Sequence, residues 1–174
     1  MKNIRILTVV FAVFALSALA SAQSFTYVGA AKCQICHKTE KQGQQYPIWE
    51  MSLHAKSFTA LTSPQAAANA QALGVADPTT DPKCLKCHAP FADKAPELKA
   101  EGVSCEVCHG PGSGYKKLNI MQDKEKAVQN GLVLYNADPS AIQTHCLKCH
   151  QNPHGNPFDF RTAWDSIKHP IPAK

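Results

Sequence analysis

The sequence predicts a mainly α-helical chain with extensive irregular loops, and three observations point there. All eight cysteines fall in one short motif that needs a helical turn. Two longer stretches, 46–61 and 158–169, carry apolar residues at helical spacing. Shorter stretches are bounded by helix start and stop residues, as at Ser63-Pro64 and Gly74.

The chain opens with Met1-Lys2-Asn3-Ile4-Arg5, an uncharged run from Ile6 to Ala20, and Ala20-Ser21-Ala22. A basic start, an apolar stretch and a small-residue site predict a cleaved secretory signal peptide over 1–22. The single mature domain is then 23–174, 152 residues, with no second apolar stretch of spanning length and hence no stable membrane insertion after cleavage. A retained N-terminal anchor is the alternative. No Cys follows the cleavage site, which argues against a lipid anchor. Loss of Lys2 and Arg5 takes the formal charge from +5 to +3. The lysines are dispersed, and the pairs Lys83/Lys86 and Lys116/Lys117 read as solvated faces, so no nucleic-acid partner is expected.

The first motif is Cys33-Gln34-Ile35-Cys36-His37. It recurs as Cys84-Leu85-Lys86-Cys87-His88, Cys105-Glu106-Val107-Cys108-His109 and Cys146-Leu147-Lys148-Cys149-His150, leaving no cysteine over. C-x-x-C-H is the attachment sequence for c-type haem. In a helical turn the two thiols point the same way, matching the two vinyl groups of a porphyrin, and the adjacent His lies under the iron. A disulfide framework does not require a His after every second Cys, and zinc does not require this setting behind an export signal. The sequence therefore predicts four covalently bound haem c groups, with His37, His88, His109 and His150 as proximal ligands.

Four other histidines remain, His54, His145, His154 and His169, one candidate sixth ligand for each iron. Their number suggests bis-His ligation and low potentials. His54 borders the apolar side shared by Trp49, Leu53 and Leu61 in the segment 46–61. His145 directly precedes Cys146, and His154 lies in the loop Asn152 to Pro157. His169 ends the segment 158–169, stopped by Pro170. Met51 and Met121 are the only methionines after the leader and read as apolar filler.

Further helices are predicted from Pro64 to Leu73, capped by Ser63 and stopped by Gly74, and from Asp123 to Asn130 before Gly131. Gly110-Pro111-Gly112-Ser113-Gly114 reads as a turn bringing backbone close to the third haem. It lacks the strand and the Gly-Lys-Ser/Thr ending of a phosphate loop. The first cysteines of successive motifs are irregularly spaced, which excludes a tandem repeat, although Cys-Leu-Lys-Cys-His occurs identically at 84 and 146. With about 38 residues available per haem, the porphyrins themselves must form the core, close enough for electron tunnelling, and folding depends on their attachment. Two propionates on each haem bring the net charge to about −5 at most, so no acidic or basic partner follows from it.

One family carries this order of motifs. The C-x-x-C-H, then Trp49, Ser52 and His54 in a W-x-x-S-x-H-like segment, a second motif, Gly102-Val103-Ser104-Cys105-Glu106-Val107-Cys108-His109-Gly110-Pro111-Gly112, and a fourth motif resemble the cytochrome c-554 family of tetrahaem electron carriers. The resemblance spans nearly the whole mature chain. It implies a mostly α-helical multihaem cytochrome c fold with stacked and perpendicular haem pairs and little or no sheet, and His54 as a ligand of the third haem. One departure stands out. In a carrier of that family a His after C-H-G-P-G serves the first haem, whereas here Ser113-Gly114-Tyr115-Lys116 contains none. His145, His154 or a neighbouring subunit then supplies that ligand, or Tyr115 lies near an open site. The same carrier leaves one haem five-coordinate.

The expected function is single-electron transfer between periplasmic or extracellular redox partner proteins, such as quinol-linked or soluble donors, terminal reductases or other cytochromes. One alternative is a homo-oligomer stacked into an extracellular conductive filament. The other is an enzyme converting a small nitrogen compound at a five-coordinate haem. Arg161, the only arginine after the leader, offers little anion binding for the latter.

Overall fold

Three of the short helices form where an acidic or hydroxyl cap meets a proline. In this computed structural model, which describes residues 24–135, 138–151 and 154–171, the expected leader 1–22 lies outside the described residues. Helix α1 spans Ala30–His37, α2 Gln45–Met51, α3 Ser57–Ala60, α4 Pro64–Ala72 and α5 Pro82–His88. They are followed by α6 Cys105–His109, α7 Leu118–Met121, α8 Lys124–Gln129, α9 Pro139–Cys146 and α10 Phe160–Ile167. Two 3₁₀ turns, Glu40–Gln42 and Pro96–Glu101, complete the helical content, and no strand occurs among the described residues. The mainly α, loop-rich architecture is the one the sequence predicts.

The caps explain the boundaries. Ser63 Oγ accepts from Ala66 N at 3.2 Å with Pro64 opening α4, and Asp123 accepts from Lys126 N at 3.0 Å at the start of α8. Asp81-Pro82 and Asp138-Pro139 start α5 and α9 in the same way, the aspartates accepting from Lys83 N and Ser140 N. Proline lacks the N–H that would otherwise be orphaned at a helix start, and the carboxylate accepts from the amides that are.

Two expected helices come out shorter. The segment 46–61 breaks after Met51, where Ser52 turns extended and its hydroxyl donates to Trp49 O at 2.6 Å. A serine bonded to backbone in this way competes with the helical ladder. The break leaves Leu53 85% exposed instead of sharing an apolar side with Leu61, which is buried. The segment 158–169 is helical only to Ile167. Asp159 caps its start, and Lys168 is already extended (ψ 145°) before His169 and Pro170, so His169 lies just past the helix. A residue ahead of proline is kept out of the helical region by the ring.

The protein's own core is small. Its buried apolar residues are Leu61, Val75, Tyr115, Ile142 and five alanines, while Ile35 and Met51 are each 72% exposed. Met51 is thus not packed by the chain's own side chains. Burying a Val, Leu or Ile contributes about 1.5–3 kcal/mol, against about 1–2 kcal/mol of backbone entropy for every residue ordered. Side chains alone fall far short of holding these loops.

One polar anchor stands out. Glu106, inside the third motif, is 1% exposed. Its carboxylate accepts from Val28 N at 3.0 Å, Gly29 N at 2.8 Å and Gly112 N at 2.6 Å. Glu101 accepts from Ala30 N at 2.9 Å. Two carboxylates thus take the free amides ahead of α1 and hold the first motif against the third. A Cβ at Gly112 would stand 2.9 Å from Glu106 Oε1 and 2.8 Å from Val28 Cγ2, so only glycine allows this approach. The turn 110–114 also bonds to the segment before α1, with Ser113 N donating to Thr26 O at 3.1 Å.

Candidate haem-binding site

Six of the eight histidines organise themselves in pairs. His54 faces His150 with ring centroids 6.1 Å apart, His88 faces His154 at 6.1 Å, and His109 faces His169 at 5.9 Å. Each pair joins one C-x-x-C-H histidine to one of the four others. A metal–imidazole bond is about 2.0 Å, and the ring nitrogen lies about 1.1 Å from the ring centre, so two imidazoles on opposite faces of one iron have centroids about 6 Å apart. The pairs leave that gap. Among the described residues no three His, Cys, Asp or Glu side chains converge on a point, and a porphyrin, supplying four equatorial nitrogens, asks only for two axial ligands.

Ring orientation is set by backbone carbonyls. His88 Nδ1 lies 2.8 Å from Ser57 O and His109 Nδ1 3.0 Å from Val133 O. A carbonyl can only accept, so Nδ1 carries the proton and Nε2 keeps the lone pair needed by a metal. Such a partner also makes the ligating nitrogen more basic. His109 is doubly fixed, since its own carbonyl accepts from Val133 N at 2.9 Å. Burial, and for His54 the neighbouring His150, hold the imidazoles of His54 and His109 below their ordinary range and so keep them neutral, the form that binds metal.

His54 sits in the turn between α2 and α3, and a small network locks it there. Trp49 Nε1 donates to Val103 O at 2.8 Å, and Val103 N donates to His54 O and to Ser57 Oγ, each at 3.0 Å. Both ends of the Val103 peptide, two residues before the third motif, are thereby held by the segment carrying His54. The spacing of Trp49, Ser52 and His54 is explained by these contacts: Trp49 anchors, Ser52 breaks the helix, and His54 lies on the turn so formed. The family resemblance implies that His54 serves the third haem. The structure sets it opposite His150, of the fourth motif, instead.

Among the described residues the other two histidines, His37 and His145, form no such facing pair. His37 Nδ1 is buried without a hydrogen-bond partner. His145 packs against Tyr135 at 5.4 Å between ring centroids. Tyr115, a sequence candidate for neighbour of an open site, is buried and donates to Gly110 O at 2.7 Å.

The cysteines follow the same interleaving. Cys33 of the first motif neighbours Cys105 of the third, and Cys87 of the second neighbours Cys149 of the fourth. Burial pushes the Cys108 thiol up to about 11 and, with Cys87 beside it, Cys149 up to about 12. Both side chains are therefore neutral thiols near neutral pH. Sequence reasoning missed Glu106 and Ser57 as organising residues. The signal for Glu106 was available: it is the one acidic residue inside any of the four C-x-x-C-H spacers.

Four haem-attachment turns, imidazoles facing across iron-sized gaps and no strand among the described residues define a class, the multihaem c-type cytochromes, whose work is electron transfer. The family described as cytochrome c554 and c-prime matches residues 32–110, covering the first three motifs and His54. Cytochrome c-554 of Nitrosomonas europaea is 27% identical over 164 residues, covering 83% of this chain and 67% of the relative. No solved structure matches. These matches support a cytochrome c-554-like tetrahaem cytochrome with covalently bound haem c, a kind of protein that exchanges electrons with redox partner proteins. No described helix is long and apolar enough to cross a membrane.

Proposed function

We propose that this chain, freed of residues 1–22, is an exported, periplasmic carrier of single electrons. Cys33 and Cys36, Cys84 and Cys87, Cys105 and Cys108, and Cys146 and Cys149 hold the four haems. His37, His88, His109 and His150 are the proximal ligands. His154, His169 and His54 close the second, third and fourth irons. The observation that carries this reading is the three histidine pairs at 5.9–6.1 Å, each combining one motif histidine with one other.

Bound haem supplies a one-electron ferric/ferrous couple. The chain's contribution is positional. Val133 O and Ser57 O hold His109 and His88 in the tautomer that presents Nε2, and the Glu106 anchor brings the first motif against the third. Two imidazoles on an iron leave no position for substrate, which suits transfer without bond making. The partners are quinol-linked or soluble donors on one side and terminal reductases or other cytochromes on the other.

A specific observation favours a second feature: His37 has no imidazole facing it among the described residues. The first iron therefore keeps one position for a small exogenous ligand, such as a nitrogen oxide, or for a histidine lent by a second copy in a filament.

EPR of the oxidised holoprotein and carbon monoxide binding to the reduced form test both statements. Three low-spin irons and one high-spin, carbon monoxide-binding iron are expected, and His169→Ala adds a second high-spin iron. An open iron at every protein concentration supports the exogenous ligand, whereas closure on concentration supports the lent histidine. Four low-spin irons in dilute monomer would overturn the open first iron, and loss of no low-spin signal in His169→Ala would overturn the ligand assignment.

A further inference from the structure

One hydroxyl touches the supports of two different histidine pairs. Ser57 Oγ lies 2.8 Å from His54 O and 2.9 Å from His88 O, accepts from Val103 N at 3.0 Å, and belongs to the residue whose own carbonyl holds His88 Nδ1 at 2.8 Å. The hydroxyl has one proton for two carbonyls. His54 O already accepts from Ser57 N at 3.2 Å and Val103 N at 3.0 Å. His88 O has no other donor among the described residues, so the proton goes to His88.

We propose that Ser57 is a positioning residue shared by the second and fourth haem centres, fixing His88 and His54 together. The inference rests on the ligand assignment above. Its physical content is that the α5 end, the His54 turn and Val103 meet on one side chain too short to move far. Removing the hydroxyl leaves His88 O without a donor and Val103 N with only His54 O to bond. Both imidazole mounts then loosen, and the Nδ1–H···O bond that makes His88 a stronger donor to iron weakens. The third centre shares none of these contacts, because His109 is held by Val133.

The test compares Ser57→Ala, Ser57→Thr and wild type as purified tetrahaem proteins, using low-spin EPR signals and a potentiometric titration. His154→Met and His54→Met identify the second and fourth signals. In Ser57→Ala the second and fourth signals shift together and the second potential rises, while the third signal stays in place. Ser57→Thr, which keeps the hydroxyl, restores the wild-type pattern. Should Ser57→Ala fail to mature with four haems, Ser57→Cys carries the same comparison, because a thiol donates only weakly. Unchanged spectra and potentials in a fully loaded Ala or Cys variant would overturn the inference, as would a uniform shift of all four signals. Wild-type protein without low-spin signals that respond to the two His→Met changes would instead overturn the ligand assignment.

Discussion

Replacing Glu106 with Ala should be among the most damaging single changes available outside the haem ligands. The carboxylate accepts from three backbone amides, Val28, Gly29 and Gly112, and is 1% exposed. Each buried donor left without an acceptor costs about 1–3 kcal/mol. Water admitted to the vacated space recovers part of this, which leaves about 3–5 kcal/mol, a large share of the 5–15 kcal/mol typical of a domain. Glu106→Gln keeps one acceptor oxygen but turns an NH₂ toward an amide donor, and should cost about half as much. Urea unfolding of the holoprotein, followed by tryptophan fluorescence, measures the difference. With a slope of about 1–3 kcal/mol per molar urea, the Ala variant's midpoint falls by one molar or more. An Ala variant with a stability within about 0.5 kcal/mol of wild type would refute the reasoning, for it would mean that the three amides find other acceptors or that the segment before α1 does not depend on them.

Two more outcomes follow from neighbouring contacts. Gly102 has a positive φ of 65°, and a Cβ there would stand 2.7 Å from His54 O and collide with Ser57 Oγ, so Gly102→Ala should destabilise by about 2 kcal/mol or more and disturb the His54 centre; an unchanged unfolding midpoint with an unchanged fourth-haem EPR signal would contradict this. Burial raises the Glu101 carboxyl above the ordinary glutamate range, with Glu106 adding to the rise and the Ala30 amide opposing it. The folded state then keeps the proton to higher pH than the unfolded state, so this group's contribution declines as pH rises from the unfolded value through the raised folded one. Midpoints measured across about pH 4 to 7 should fall less steeply in Glu101→Gln than in wild type, and parallel profiles would remove Glu101 from that role.

Much of the local structure was legible because it is encoded within a few residues. Ser63-Pro64 and Asp123 announce their helices through side chains that reach only two or three positions along the chain. Asp81-Pro82 and Asp138-Pro139 carry the same signal, and would have extended it to the helices leading into the second and fourth motifs. The break at Ser52 was harder, since apolar spacing through Leu53 and Leu61 favours a continuous helix and only the Ser52–Trp49 bond ends it. The list of site histidines could be read from spacing, but their partnership could not. That His54 meets His150 depends on Val103 being clamped by Trp49 and Ser57, a contact between segments far apart in sequence. Glu106 was visible as a letter of a motif, while its meaning lay in three amides from two other segments.

The three facing pairs also bear on how the chain stays closed. His54 with His150, His88 with His154 and His109 with His169 each span roughly 60 to 96 residues of sequence, loops as long as those closed by the most stabilising disulfides. A protein whose every cysteine is committed to a porphyrin has no disulfide left to make. On the proposed ligation its cross-links would be the bonds from His154, His169 and His54 to the second, third and fourth irons, and those bonds would change strength when an electron arrives. Mechanical integrity and cargo are thereby linked: a loaded molecule and an empty one should resist unfolding, proteolysis and heat to different degrees, without any change in covalent structure.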